Sequence, residues 1–328
     1  MSKIIRIGTR DSELALWQAR TVVSKLHELG YKTQLISVKS TGDIILDRPL
    51  YELGITGIFT KSLDTAMING EIDIAVHSMK DVPTSLPKGI VQAAVLERAN
   101  TTDILVYKKL ENLSEIPATI ATGSLRRKAQ WLNKYPNHNV VDLRGNVNTR
   151  LQKLKDNDWN GAVFAAAGLE RLSFAPTHSK GEGTKSFAKK SPSFEGIGEA
   201  LNWMIPAPAQ GAMMVVAMQH DNFSLDALSQ LNDVETEIMT YIERQFLRTL
   251  EGGCTAPIGA FAQYNEHDDT IYFKGILLLP DGSNKREISK TVPVEEWKKL
   301  GFQCAQEILQ NGGNALMEKI RKTQKPQS

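Results

Sequence analysis

Arginines recur in this chain where an α/β protein would present them to a ligand. Thr122-Gly123-Ser124-Leu125-Arg126-Arg127 follows a β-prone run and opens a helical pattern, where free backbone N–H groups and the positive end of the helix dipole favour an anion. Arg126 and Arg127 add planar forks matched to carboxylate or phosphate. Taken alone, the pair reads equally well as solvated surface charge. Recurrence tips the balance: Arg10 follows the first strand, Arg144 follows the strand ending at Leu143, Arg150 lies in the next helix, and Arg171 follows Gly168-Leu169-Glu170. Ligands of open α/β sheets bind outside the carboxyl ends of the strands, so six arginines at such ends imply a polyanion.

Nucleic acid is the poorer choice of polyanion, because no aromatic platforms flank these arginines and no helix-turn-helix or finger pattern is present. A small polycarboxylate or phosphate fits better. Gly57-Ile58-Phe59-Thr60-Lys61-Ser62 lacks the glycine that a P-loop needs directly before its lysine, which removes a nucleotide site. His77-Ser78-Met79-Lys80-Asp81-Val82-Pro83 leaves a buried strand and stops at a proline, setting Lys80 and Asp81 at the ligand end of the first lobe. As a surface ion pair they would be inert. His77 has no partner carboxylate or nucleophile at recognisable spacing and reads as structural. Cys254, on the glycine-rich turn Glu251-Gly252-Gly253-Cys254, has no periodic apolar context, whereas Cys304 sits among Phe302, Ala305 and Ile308 at helical spacing and reads as a buried inert thiol.

The elements that must hold these groups follow from hydrophobic period. Ile4-Ile5-Arg6-Ile7 is β-prone, Ser12 is a candidate N-cap, and Ala15, Ala19, Val22, Val23, Leu26 and Leu29 recur at helical spacing before Gly30. Strands are expected at 35–38, 73–76, 102–107, 118–121, 140–143 and 162–165, with a returning strand at 213–218. Beyond Asp233 a helix and two hairpin-like runs, at 258–264 and 270–279, make a smaller α+β domain. The polar stretch 173–198 reads as a solvated loop. The 328 residues are 41% hydrophobic and 23% charged, ordinary globular usage that excludes disordered and fibrous classes and allows two or three domains. The formal net charge of +2 makes anion binding a local matter. Two cysteines without ligand-spaced neighbours form neither a disulfide framework nor a metal site. No apolar run reaches the roughly 18 to 20 residues of a bilayer span, and Arg6 interrupts any signal-peptide core, so a cytoplasmic protein is expected.

In order along nearly its whole length, the chain resembles the porphobilinogen deaminases, also called hydroxymethylbilane synthases. The likeness rests on Ile7-Gly8-Thr9-Arg10 with Ser12 and Leu14 to Ala19, on Asp73 to Pro83, on Ser124-Leu125-Arg126-Arg127, on Leu143-Arg144-Gly145-Asn146-Val147, and on Leu250-Glu251-Gly252-Gly253-Cys254. It implies an α/β protein with two periplasmic-binding-protein-like (type II) lobes, a small α+β C-terminal domain, and an active site between the lobes. Domain 1 would span 1–98 with 212–230, domain 2 101–207 with the polar loop 173–198, and domain 3 234–328.

The resemblance further implies a dipyrromethane cofactor, held by a thioether to Cys254 and built from the substrate, porphobilinogen. The enzyme would be a transferase of heme biosynthesis that adds four porphobilinogen units to this primer, loses ammonia each time, and hydrolyses off the linear tetrapyrrole. The growing chain is a polycarboxylate. The family pattern assigns its binding to Arg10, Arg126, Arg127, Arg144, Arg150 and Arg171, with Ser12, Lys80, Thr122, Ser124 and Gln210 assisting. Asp81 matches the catalytic carboxylate, because loss of ammonia from an aminomethylpyrrole leaves an azafulvenium cation that a fixed negative charge stabilises. No metal, nucleic acid or membrane enters this picture, and a monomer is expected.

Three positions depart from the family pattern: Gly123 stands where a hydroxyl residue is common, Thr56 where lysine is, and Ala209 where glycine often precedes Gln210. Two other readings compete. A noncatalytic two-lobed protein that binds a small polycarboxylate leaves Cys254 and the last domain unexplained. A thiol hydrolase using Cys254 leaves six arginines without a task.

Overall fold

A computed structural model of the chain describes residues 3–39, 57–107, 116–172, 174–178, 184–189, 195–250 and 256–324. Ile5 and Ile7 alternate inward on β1 (Ile4–Thr9) and are fully buried. Helix α1 (Glu13–Glu28) begins where the Ser12 hydroxyl accepts the Ala15 N–H, and Gly30, at φ +85°, takes the left-handed turn that ends it. Ala15, Ala19, Val22 and Leu26 form its buried stripe. β2 (Lys32–Ser37) then pairs parallel to β1. After α2 (Lys61–Ile68), β3 (Ile74–Ser78) pairs parallel on the other side of β1. β4 (Ile90–Leu96) and β12 (Met213–Met218) complete a sheet of order β2-β1-β3-β12-β4, in which β12 runs antiparallel to both neighbours.

The second lobe repeats the plan. β5 (Asp103–Tyr107), β6 (Thr119–Ala121), β7 (Asn139–Val141), β8 (Gly161–Ala165) and β11 (Glu195–Ala200) are ordered β7-β6-β8-β5-β11, with β6 parallel to β7 and β8 and with β5 antiparallel to β8 and β11. The antiparallel strand in the fourth place of each sheet is the one the chain enters directly after crossing between lobes. Helices α3 (Leu125–Lys134), α4 (Val147–Asp156) and α5 (Ala166–Arg171) follow β6, β7 and β8. This is the two-lobed type II arrangement. The expectation of a solvated loop over 173–198 is corrected: β9 (Phe174–His178), β10 (Thr184–Lys189) and β11 extend the sheet as an antiparallel ribbon. Antiparallel pairing satisfies the backbone without an apolar run, so the polar composition concealed it.

After α6 (Asn222–Ser229), a smaller domain packs α7 (Val234–Thr249) and α8 (Trp297–Ile308) on the antiparallel sheet of β13 (Ile258–Asn265), β14 (Thr270–Leu277) and β15 (Arg286–Pro293), with α9 (Asn314–Gln324) following. Phe246, Phe273, Leu300 and Cys304 lie at its centre, fully buried. Burial pushes the Cys304 thiol up to about 11, which keeps it protonated and inert.

The three units meet at the two crossings. Glu243 on α7 is fully buried and receives both terminal nitrogens of Arg98 at 2.7 and 2.9 Å, the Ala209 N–H at 2.6 Å and the Ala262 N–H at 2.8 Å. One carboxylate thus joins the first lobe, the second crossing and the small domain. Gly211, at φ +92°, carries that crossing so close to the first that a Cβ would stand 2.4 Å from the Ala99 carbonyl oxygen. Ala209 has φ +62°, which accounts for the glycine usual there. Removing one partner of a buried, hydrogen-bonded ion pair typically costs about 3 to 5 kcal/mol. Glu243→Gln is therefore expected to lower the unfolding free energy, read from denaturant titration, by a margin of that order, and wild-type stability in that variant would contradict the junction described.

Candidate active site

The loops that leave the carboxyl ends of the parallel strands converge between the lobes on a cavity of about 500 Å³. From the first lobe come Arg10 and Ser12 after β1, and Lys80 and Asp81 on the 3₁₀ turn Met79–Asp81 after β3. From the second come Arg127 in the first turn of α3, Arg144 after β7, Arg150 on α4 and Arg171 at the end of α5. The wall therefore carries six cationic side chains against two carboxylates, Asp11 and Asp81. Phe59, Thr60, His77 and Gln18 complete parts of it, with the Arg10 guanidinium 4.3 Å from the centre of the Phe59 ring.

Burial leaves that positive charge poorly compensated. It pushes Arg150 down to about 10, with Arg127 and Arg144 adding repulsion that Asp81 and Asp142 only partly offset. Arg171 is likewise pushed down to about 10 by burial. Burial and the nearby Arg127 bring Lys80 down to about 8. His77, buried beside Arg10, falls to about 4 and is neutral at neutral pH. Arginine keeps its proton in proteins, so the depressions express a demand for negative charge. The Arg150 Nε is buried without a hydrogen-bond partner among the described residues.

One carboxylate behind the wall restrains this repulsion. Asp103, the first residue of β5, is fully buried and pairs with Arg126 at 2.7 Å and Arg127 at 2.8 Å, while the Gln210 amide donates to it at 3.0 Å. Burial alone would raise the Asp103 carboxyl, but the two guanidiniums hold it well below the usual carboxylate range. Gln210 also accepts from the Lys80 ammonium at 3.2 Å, linking the two lobes through the crossing.

Four of the residues expected at the site are absent from the cavity wall. Arg126 turns inward to Asp103 and to the Ile205 carbonyl, 2.5 Å away. Gln210 lies behind the wall. The Ser124 hydroxyl caps α3 by accepting the Arg127 N–H at 3.5 Å, and the Thr122 hydroxyl accepts the Ser124 N–H at 3.3 Å. At Gly123 a Cβ would stand 2.6 Å from the Leu143 carbonyl oxygen, so the usual hydroxyl residue does not fit this loop pairing. Cys254 and Thr56 lie outside the described residues. Sequence reasoning missed Asp103 and Phe59. The only local signal for Asp103 was a charge opening the apolar run Ile104-Leu105-Val106-Tyr107.

His77 gives the site a pH signature. Its folded pKa, about 4, lies below the unfolded value of 6.5, so between these values the unfolded chain binds a proton that the folded chain refuses. Stability is then present above about pH 6.5 and lost as pH falls toward 4, by roughly 3 kcal/mol. His77→Gln should flatten the loss over that window in denaturant titrations, and an unchanged slope would show that His77 is not the titrating group.

Two family descriptions match the chain: "Porphobilinogen deaminase, dipyromethane cofactor binding domain" over residues 5–226, and "Porphobilinogen deaminase, C-terminal domain" over 238–310. The porphobilinogen deaminase of Nitratiruptor sp. is 39% identical over 317 residues, covering 96% of each chain. The chloroplastic porphobilinogen deaminase of Oryza sativa is 40% identical over 96% of this chain and 84% of its own. Among solved structures, the periplasmic VFT2 domain of Bordetella pertussis BvgS has TM-score 0.41 at 11% identity, over 70% of this chain and 86% of that one, too distant to argue from. The chain belongs to the porphobilinogen deaminase family.

Proposed function

We propose that the chain works as a hydroxymethylbilane synthase: it joins four porphobilinogen molecules to a covalently held dipyrromethane, releases one ammonia for each, and hydrolyses off the linear tetrapyrrole. Family membership supports the activity. The observation that carries the site is the crowding of six cations around one cavity between the lobes, with the buried Arg150 Nε unpartnered among the described residues. The dipyrromethane fits this donor set, because its acetate and propionate groups supply the negative charge that the wall lacks. When bound, it is the primer to which pyrrole units are added.

The residue roles follow from position. Arg10, Arg127, Arg144, Arg150 and Arg171 bind carboxylates by charge and fork geometry, with Ser12 and Lys80 assisting. Arg126 and Gln210 act one layer back, steadying Asp103, Arg127 and Lys80, while Thr122 and Ser124 hold the start of α3. Cys254 is the attachment point. As the substrate loses ammonia, the C–N electron pair leaves with nitrogen and positive charge spreads to the pyrrole ring. The Asp81 carboxylate, on the cavity wall, accepts the ring N–H and stabilises that charge. The noncatalytic binding protein is the weaker reading, since it gives no task to a small domain joined to both lobes. A single chain supplies all six cations, which favours a monomer. No helix among the described residues is long and apolar enough to cross a membrane, and we assign the protein to the cytoplasm, with no nucleic acid partner.

Intact mass and turnover test this reading together. Cys254→Ser should have its plain sequence mass and form no tetrapyrrole, whereas Cys304→Ser should keep adduct and activity; an adduct on Cys254→Ser would sink the attachment. Positioned acid-base groups typically supply about 10²- to 10⁴-fold in rate. Cofactor-loaded Asp81→Asn should therefore melt like wild type yet turn over at least about a hundredfold more slowly, with Asp81→Glu retaining measurable activity. Near-normal turnover in Asp81→Asn would remove Asp81 from the mechanism.

A further inference from the structure

A side chain of the small domain reaches the turn that carries Lys80 and Asp81. Arg244, half-buried on α7, donates from one terminal nitrogen to the carbonyls of Met79 at 3.3 Å and Val82 at 2.8 Å, and from the other to the Pro83 carbonyl at 2.6 Å. The turn itself is short: residues 79–81 make a single 3₁₀ turn, closed by the Val82 N–H on the Met79 carbonyl at 3.1 Å. Pro83 has no N–H to offer a neighbouring strand. Met79 and Val82 are buried on either side, while Lys80 and Asp81 face the cavity. The peptide planes that bracket these two residues are thus oriented by a guanidinium from another domain.

We propose that Arg244 is a positioning residue, holding the turn through three backbone carbonyls and so fixing where the Asp81 carboxylate stands. This rests on the assignment of Asp81 to the reaction. Arg244 also lies on the helix that precedes Cys254, so the same element that leads to the attachment point sets the carboxylate. The fork matters: two nitrogens in one rigid plane serve three acceptors, whereas a lysine ammonium is a single point on a flexible stem. In an Arg244→Met variant the Val82 and Pro83 carbonyls lose the guanidinium and the Met79 carbonyl keeps only the Val82 N–H, so the turn is free to drift.

The test uses cofactor-loaded protein, verified by intact mass: Arg244→Met, Arg244→Lys, Asp81→Asn, and the double variant Arg244→Met with Asp81→Asn. A misplacement of about 1 Å can cost on the order of a hundredfold in rate. Arg244→Met should accordingly lower kcat by about ten- to a hundredfold while KM for porphobilinogen stays within about threefold, and Arg244→Lys should recover part of the loss. Amide exchange at Val82 should quicken in Arg244→Met, an effect that does not depend on turnover. In the Asp81→Asn background, Arg244→Met should cost less than about threefold, because its effect passes through the carboxylate already removed. A kcat within about twofold of wild type, measured well below the melting temperature, overturns the proposal, as does a full additive loss in the double variant. If Arg244→Met does not fold, Arg244→Lys decides: unchanged kcat and unchanged Val82 exchange overturn the proposal. Near-normal turnover in Asp81→Asn would instead bring down the assignment of Asp81, and the two failures are told apart by which single variant stays active.

Discussion

Like charges held close together inside a protein are the constraint around which this molecule is built. Two unit charges 4 Å apart repel by about 4 kcal/mol at an effective dielectric constant of 20, and six cations share one cavity wall here. The Asp103 carboxylate neutralises part of that charge from behind, through Arg126 and Arg127. It does not neutralise Arg144, Arg150 or Arg171, which lie further round the wall. The remaining repulsion is borne by the hydrophobic cores of the two lobes, one cluster on each face of each sheet. A polyanion entering the cavity relieves that repulsion, so what weakens the free protein strengthens the complex.

Such a wall must also keep its shape while assembled from distant stretches of chain. Strand ends from two sheets define it, and the chain passes between the sheets twice. The small domain closes this gap in connectivity by gripping both lobes. Glu243 takes Arg98 of the first lobe and the Ala209 N–H of the second crossing. On the other side, Ala129 of α3 and Ile205 pack against Ile276 and Leu278, and the Asn133 amide donates to the Gly282 carbonyl at 2.8 Å. The helix that begins with Arg126 and Arg127 is therefore backed by the small domain, as is the turn that bears Asp81.

What the sequence disclosed follows from the reach of each signal. β3 and β12 were legible because they are buried on both faces, β1 because its inward residues are isoleucines, and α1 because its cap, stripe and exit glycine are all local. β9 and β10 were not, since their strength is in backbone pairing rather than apolar period. The arginines were legible as a set at strand ends, but their individual directions were not. Arg126 and Arg127 are about 100° apart around their helix; both reach Asp103, but Arg126 turns on to the Ile205 carbonyl while Arg127 also lines the cavity. Nothing near them in sequence says which, because Asp103 lies on a strand more than twenty residues earlier. The place of Gln210 behind the wall was hidden for the same reason: its partners, Lys80 and Asp103, come from different lobes.

Two departures from the family pattern have opposite physical characters. At Ala209 the chain keeps a side chain where the backbone asks for none: a left-handed alanine costs about 1 kcal/mol relative to glycine. The cost is tolerated because the surroundings over-determine the position, with the N–H on Glu243 and the methyl fully buried. At Gly123 the chain gives up a side chain at a backbone angle that does not demand glycine, and the space a Cβ would need is taken. The turn before α3 thereby comes against the Leu143 carbonyl, next to Arg144. Both changes act on backbone approach rather than on charge: one sits where the lobes join, the other where two arginine-bearing loops meet. Neither change adds or removes a cation among the six that line the cavity.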